Sequence, residues 1–187
     1  MSRRNMGLPL RWLVLAEAGM GLATLIWVRF SETAVPYALT ARAVSLALGV
    51  TFVFTLCNYS LFRVSTRFAL TRPVQAFFEE EIFPLVRQAS FLDIVLASAA
   101  AGFAEELLFR GMLMPRMGLV ASSLLFGFLH GPEYKLWPMA LWASIVGFGF
   151  GVLYEGTSNL AVPMIVHGVY DALALTYIRL TPAKTGA

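Results

Sequence analysis

Four ionisable side chains stand in sequence that otherwise reads as lipid-facing: Glu105, Glu106, His130 and His167. The glutamates lie in the run Ala101-Gly102-Phe103-Ala104-Glu105-Glu106-Leu107-Leu108-Phe109-Arg110. A charge at the bilayer centre costs about 2.5–3.5 kcal/mol even on a lenient insertion scale. Such a group persists when it is paired, faces an internal cavity or carries out chemistry. Adjacent helical residues point about 100° apart, so one partner cannot easily serve both carboxylates. Glu106 and Arg110 have the i,i+4 spacing with the acid first, the better order for an ion pair. That reading makes Glu106 a structural salt bridge. Glu105 has Leu108 and Phe109 where a local partner would sit, so it needs one from another helix or a bound water. A carboxylate that holds a water can act as general base toward it.

His130 and His167 are the only histidines in the chain, and both fall in apolar runs. An intramembrane His can be a plain interhelical hydrogen-bonding group. Two of them beside an intramembrane Glu pair favour a functional set. His167 and Asp171 are also i,i+4 and share a face. Asp171 could fix the tautomer of His167 or simply neutralise it. Phe126, one turn before His130, is expected to pack and could wall a cavity against water. Peptide hydrolysis needs an activated nucleophile, charge stabilisation at the carbonyl oxygen and a proton for the leaving amine. A Glu–His pair holding one water supplies the first and third, and a second His supplies the other.

Long apolar helices must position these groups. Of the 187 residues, 58% are hydrophobic and 13% charged, about half the charged share of a soluble domain, roughly 25%. The mean hydropathy is +0.72. Crossing the hydrocarbon core takes about 20 mainly apolar residues. Candidate spans lie near 10–30, 38–62, 91–114, 118–135, 137–155 and 159–180. The expected fold is an all-α membrane bundle of about six transmembrane helices. It forms one domain over 1–187, with a motif-bearing core near 91–180. Residues 1–28 begin like a signal peptide, but Arg11, Glu17 and the length of the run favour a retained first span. The breaks carry turn chemistry at Pro36, Pro115 to Gly118, Gly131-Pro132 and Gly156 to Asn159.

The polar stretch 63–90 alternates Phe77, Phe78, Ile82, Phe83, Leu85 and Val86 with charges. That pattern fits an amphipathic helix in the headgroup zone, with Glu79 to Glu81 as a solvated face. The net charge of +3 sits between apolar runs, which encodes topology rather than nucleic-acid binding. Arg3, Arg4, Arg11, Arg63, Arg67, Arg72, Arg87, Lys135, Arg179 and Lys184 fall on one side if six spans are correct, so both termini are expected in the cytoplasm. Arg116 is the exception. The single cysteine, Cys57, is expected to be a small buried apolar residue.

Glu105-Glu106-Leu107-Leu108-Phe109-Arg110 resembles the EExxxR motif of the CAAX-protease and bacteriocin-processing family. Phe126 to His130 resembles its FxxxH motif, and His167 to Asp171 its HxxxN or HxxxD motif. All three occur in family order over about residues 95–175. The resemblance implies a helical intramembrane endopeptidase. Eukaryotic members cleave near the C-terminus of prenylated proteins. Bacterial relatives are linked to peptide maturation, bacteriocin self-immunity and removal of C-terminal sorting tails. By that resemblance Glu105 activates the attacking water with His130, while His167 and Asp171 bind the oxyanion. An Asp in the last place can donate a hydrogen bond only when protonated, or else acts through His167.

The expected partners are a peptide or protein substrate (a sorting tail or bacteriocin-like peptide) and membrane lipids. The expected location is a prokaryotic plasma membrane. No cofactor is expected. Two His and one or two Glu could hold zinc, but HExxH is absent and the His residues lie in different spans. A Cys57 nucleophile has no surrounding motif. The non-enzyme alternative is an immunity, scaffold or transport protein that keeps the same polar core, since intramembrane Glu and His also mark proton relays.

Overall fold

The structure is a computed structural model that describes residues 8–181. Arg3, Arg4 and Lys184 lie outside the described residues. Among the described residues the chain is helical, without strands. The long helices are α1 (Leu8–Phe30), α2 (Ala41–Ser65), α5 (Phe91–Glu106), α6 (Met114–His130), α7 (Trp137–Thr157) and α8 (Ala161–Leu180). Short α3 (Arg72–Phe77) and α4 (Phe83–Gln88) are joined by a π-helical turn, Phe78–Ile82. Another π-helical turn, Leu107–Leu113, links α5 to α6. Hydrocarbon offers no hydrogen-bond partner to a backbone, so helices that satisfy their own amides are the stable solution for these apolar runs. Where helices start, side chains serve free amides: Thr40 caps α2, and Ser90 with Asp93 forms a reciprocal capping box on α5.

Five stretches are long and apolar enough to cross a membrane. One of them, Phe91–His130, runs for 40 residues. Gly118 divides it, with φ of +82°, a conformation that only glycine adopts without steric cost. Phe109 and Phe126 would lie about 25 Å apart on one continuous helix, yet their ring centroids are 4.9 Å apart. The chain therefore reverses at Gly118, and the expected third and fourth spans are the two arms of a tight hairpin. The protein is an all-α integral membrane bundle.

The arms of the bundle meet where side chains are smallest. A Cβ on Gly102 of α5 would come within 2.7 Å of the Gly168 amide nitrogen on α8. A Cβ on Gly127 of α6 would collide with Ser144 and Ala140 of α7. Small residues let membrane helices pack backbone to backbone. Helix α1 runs parallel to α5: Arg11 pairs with Asp93 at 3.3 Å, and Gly21 faces Ala104 and Phe103. Ala43 and Ala47 of α2 join Phe150, Val162 and Val166 in a buried cluster.

The two ends differ in chemistry. At one end Asn159 exchanges two hydrogen bonds with the backbone of Ala38, and Leu160 N–H donates to Pro36. Arg116 lies there, over the Trp27 ring at 3.7 Å. At the other end Val86 and Ala89 bury against Leu10, Ile94 and Ala97. Arg179 donates to the carbonyls of Arg87 and Ala89. The polar stretch is helical over 72–88 with Glu79 to Glu81 exposed, whereas Arg63 belongs to the last turn of α2.

Cys57 corrects an expectation: it is exposed on α2, in an outward-facing patch with Leu56, Leu61 and Val64. Lipid is as apolar as a core, so an apolar neighbourhood in sequence does not separate the inside of a membrane bundle from its outside.

Candidate active site

Glu105 and Glu106 sit at the end of α5, just before the helix widens into its π-helical turn. Such turns recur at functional sites because the extra residue re-aims neighbouring side chains. Arg110, inside the turn, is almost fully buried and holds Glu106 at 2.9 Å. Its other terminal nitrogen donates to the Gly147 carbonyl of α7 at 2.6 Å. The guanidinium lies 4.9 Å from the Phe126 ring centroid and 5.5 Å from that of Phe150. A desolvated cation gains from aromatic faces, and this one is ringed by them. Gly147 leaves room here: a Cβ would sit 3.1 Å from Phe126 and 3.3 Å from Arg110, so those side chains would have to give by a few tenths of an ångström.

Glu106 accepts a second hydrogen bond at the same oxygen, from His167 Nδ1 at 2.9 Å. That bond places a proton on Nδ1 of His167 and turns Nε2 toward the site. Nε2 lies 3.4 Å from Asp171 and 3.9 Å from Glu105. Sequence spacing suggested that Asp171 could set the tautomer of His167. The Nδ1 contact belongs instead to Glu106, a long-range contact that i,i+4 spacing cannot reveal.

His130 is the last residue of α6. Its Nδ1 lies 2.8 Å from the Phe126 carbonyl. A carbonyl only accepts, so Nδ1 carries the proton and Nε2 presents a lone pair in the neutral ring. That Nε2 faces Glu105 Oε2 at 3.8 Å. The depth of the two groups follows from the hairpin. Glu105 and His130 stand at nearly equal chain distances before and after Gly118, about 18–20 Å along their helices. Folding at Gly118 brings them level, and α6 ends inside the bundle, which is allowed where a helix lines a cavity.

α5, the π-helical turn after it, α6 and α8 thus bring together all seven residues singled out from the sequence: Glu105, Glu106, Arg110, Phe126, His130, His167 and Asp171. Glu106 is wholly buried, while the side chains of His130 and Asp171 are 34% and 31% exposed. The site is therefore closed on the Glu106 side and open on the His130–Asp171 side. Glu105 Oε2, at the junction, makes no hydrogen bond among the described residues. No group of three His, Cys, Asp or Glu among those residues has the spacing of a metal cradle.

Sequence reasoning missed Gly147, Phe150 and Glu17. Phe150 lies against the His167 ring, with centroids 5.3 Å apart. The glycine-rich run Gly147 to Gly151 was the available signal for the close approach. Glu17 was read only as an interruption of the first span. On α1 its charge couples to His167 and Asp171 and to Glu105.

Residues 87–173 match the family described as type II CAAX prenyl endopeptidase Rce1-like. The matched region contains every residue of the three motifs and all of α5 and α6, and it ends within α8. A 90-residue alignment with the uncharacterized protein YpbD of Bacillus subtilis (strain 168) is 38% identical. That alignment covers 48% of this chain and 48% of YpbD, so the chain spans about half the length of the curated relative it matches. No solved structure matches.

Proposed function

We propose that this protein is an intramembrane endopeptidase that cleaves a peptide bond near the C-terminus or membrane boundary of a peptide or protein substrate. The observation that carries this reading is the position of Glu105 Oε2, 3.8 Å from His130 Nε2 and 3.9 Å from His167 Nε2. These lengths are too long for direct hydrogen bonds and suit one oxygen atom shared between the groups. A water there gives a proton to Glu105, assisted by the His130 lone pair, and its oxygen attacks the scissile carbonyl carbon. The C–N bond then breaks as the proton passes to the leaving amine.

His167 stabilises the carbonyl oxygen through Nε2. With Nδ1–H committed to Glu106, Nε2 can donate only as the imidazolium, flanked by Asp171. Glu106 and Arg110 hold the ring in place. In this reading no cofactor takes part, and the membrane is a prokaryotic plasma membrane with both termini in the cytoplasm. The direct test compares C-terminal fragments in cells carrying wild-type and Glu105→Ala protein. Membrane-protein tails that depend on Glu105 support the reading. Identical fragment sets, with both proteins inserted equally, overturn it in favour of a non-catalytic immunity, scaffold or transport role.

A further inference from the structure

Glu17 is the one acid of this site for which neither the motifs nor the mechanism has a use. It comes from α1, outside the Rce1-like region, and its Oε2 is shielded from solvent without a hydrogen-bond partner among the described residues. The charges around it do not balance. Glu17, Glu105, Glu106 and Asp171 make four carboxylates, against Arg110, His130 and His167. Even with both imidazoles protonated, the cations are one short of the acids. Arg110 is spent on Glu106 and the Gly147 carbonyl. Arg11, the basic residue nearest Glu17 on its own helix, is turned to Asp93. A half-buried carboxylate oxygen with no hydrogen-bonded cation is stabilised in its charged form by one brought close to it.

The register of α1 against α5 says where that cation would lie. Arg11 is level with Asp93 and Gly21 with Ala104, so Glu17 is level with residues 99–100. That places it about 8 Å along the helix axis from Glu105, toward the end that carries Arg11 and Arg179. An extended peptide covers that length in two to three residues. Lys and Arg also suit the setting, because their apolar stems lie along greasy walls while the charged head reaches a partner.

We propose that Glu17 is a specificity carboxylate that selects substrates with a Lys or Arg side chain within about three residues of the scissile bond. This rests on the endopeptidase reading and deepens it. The test uses the full chain in detergent and quenched fluorogenic peptide libraries, each with Lys, Arg, Gln, norleucine or Glu fixed at one position. Wild type should favour Lys or Arg over Gln at one position by about tenfold in kcat/KM. Glu17→Gln should bring that ratio to about one, and Glu17→Lys should turn it toward Glu.

A wild-type enzyme indifferent to charge overturns the proposal. So does a preference that persists in both variants. In either case cleavage that still depends on Glu105 leaves the endopeptidase reading standing. If wild type cleaves no library member and the cellular fragment sets are also identical, both fall together. Glu17→Asp gives a graded check should either variant fail to fold.

Discussion

The two sides of the site are built from neighbouring residues and behave as different materials. On the closed side, Arg110 and His167 both donate to Glu106 Oε1 and are packed against Phe126 and Phe150 beside Gly147, while Glu106 Oε2 has no hydrogen-bond partner among the described residues. Around Glu105 the contacts are looser: it lies 3.8 Å from His130 and 3.9 Å from His167, too long for hydrogen bonds, Asp171 stays partly exposed beside His167, and Glu17 Oε2 has no hydrogen-bond partner among the described residues. Hydrogen bonds between buried charged groups hold those groups in place. Groups left loose are free to engage a water or a substrate. Glu105 and Glu106 are chemically identical and adjacent in the chain, so the difference between them lies in the neighbours that the fold supplies. One glutamate is structure and the other is proposed chemistry.

That contrast can be broken at several points. The largest effect is expected from Glu105→Ala. Purified enzyme should lose about 10²–10⁴ in cleavage rate with its thermal midpoint hardly moved. A large drop in the midpoint would mean that Glu105 belongs to the structural side. Arg110→Ala is the mirror case: it leaves Glu106 buried without its cation and should cost about 3–5 kcal/mol of stability, along with activity. Thermal unfolding in detergent checks it, and an unchanged midpoint would count against the closed network.

A smaller loss is expected at the rim of that network. Gly147→Ala pushes a methyl group against Phe126 and Arg110 and should cost about 1–3 kcal/mol, measured in the same way. Asp171 sharpens the open side. Asp171 flanks the His167 imidazolium that serves the oxyanion, so Asp171→Asn and Asp171→Ala both remove its charge and should each lose about 10²–10³, the range for losing one oxyanion donor. Full activity in Asp171→Asn would mean that the charge of Asp171 has no part in the chemistry. The smallest effects are expected from Cys57→Ala and from chelation, both leaving cleavage unchanged. A stoichiometric metal whose removal abolishes activity would replace the water mechanism with a metal one.

Much of this protein was legible in the chain. Apolar runs of about 20 residues imply membrane helices, because the bilayer leaves a backbone few alternatives. The i,i+4 spacings gave the Glu106–Arg110 pair and put His167 and Asp171 on one face, since both are local consequences of helix geometry. The turn chemistry at Pro115 to Gly118 marked the hairpin. Other features were invisible. The lipid-facing position of Cys57 is marked by nothing in the sequence around it. The bond from Glu106 to His167 joins residues far apart in the chain, and the coupling of Glu17 to the site joins α1 to helices much later in the sequence.

The sequence by itself determined the helices, the places where the chain turns and the roster of ionisable groups that hydrocarbon would not tolerate unpaired. Those are properties of single segments against their solvent. Only the tertiary structure decided which carboxylate each imidazole meets, that Glu106 rather than Asp171 holds Nδ1 of His167, and that Glu17 joins the site. Such choices depend on how closely α5 packs on α8 at Gly102 and Gly168 and α6 on α7 at Gly127 and Ser144. Those are contacts between segments, and no local pattern encodes them.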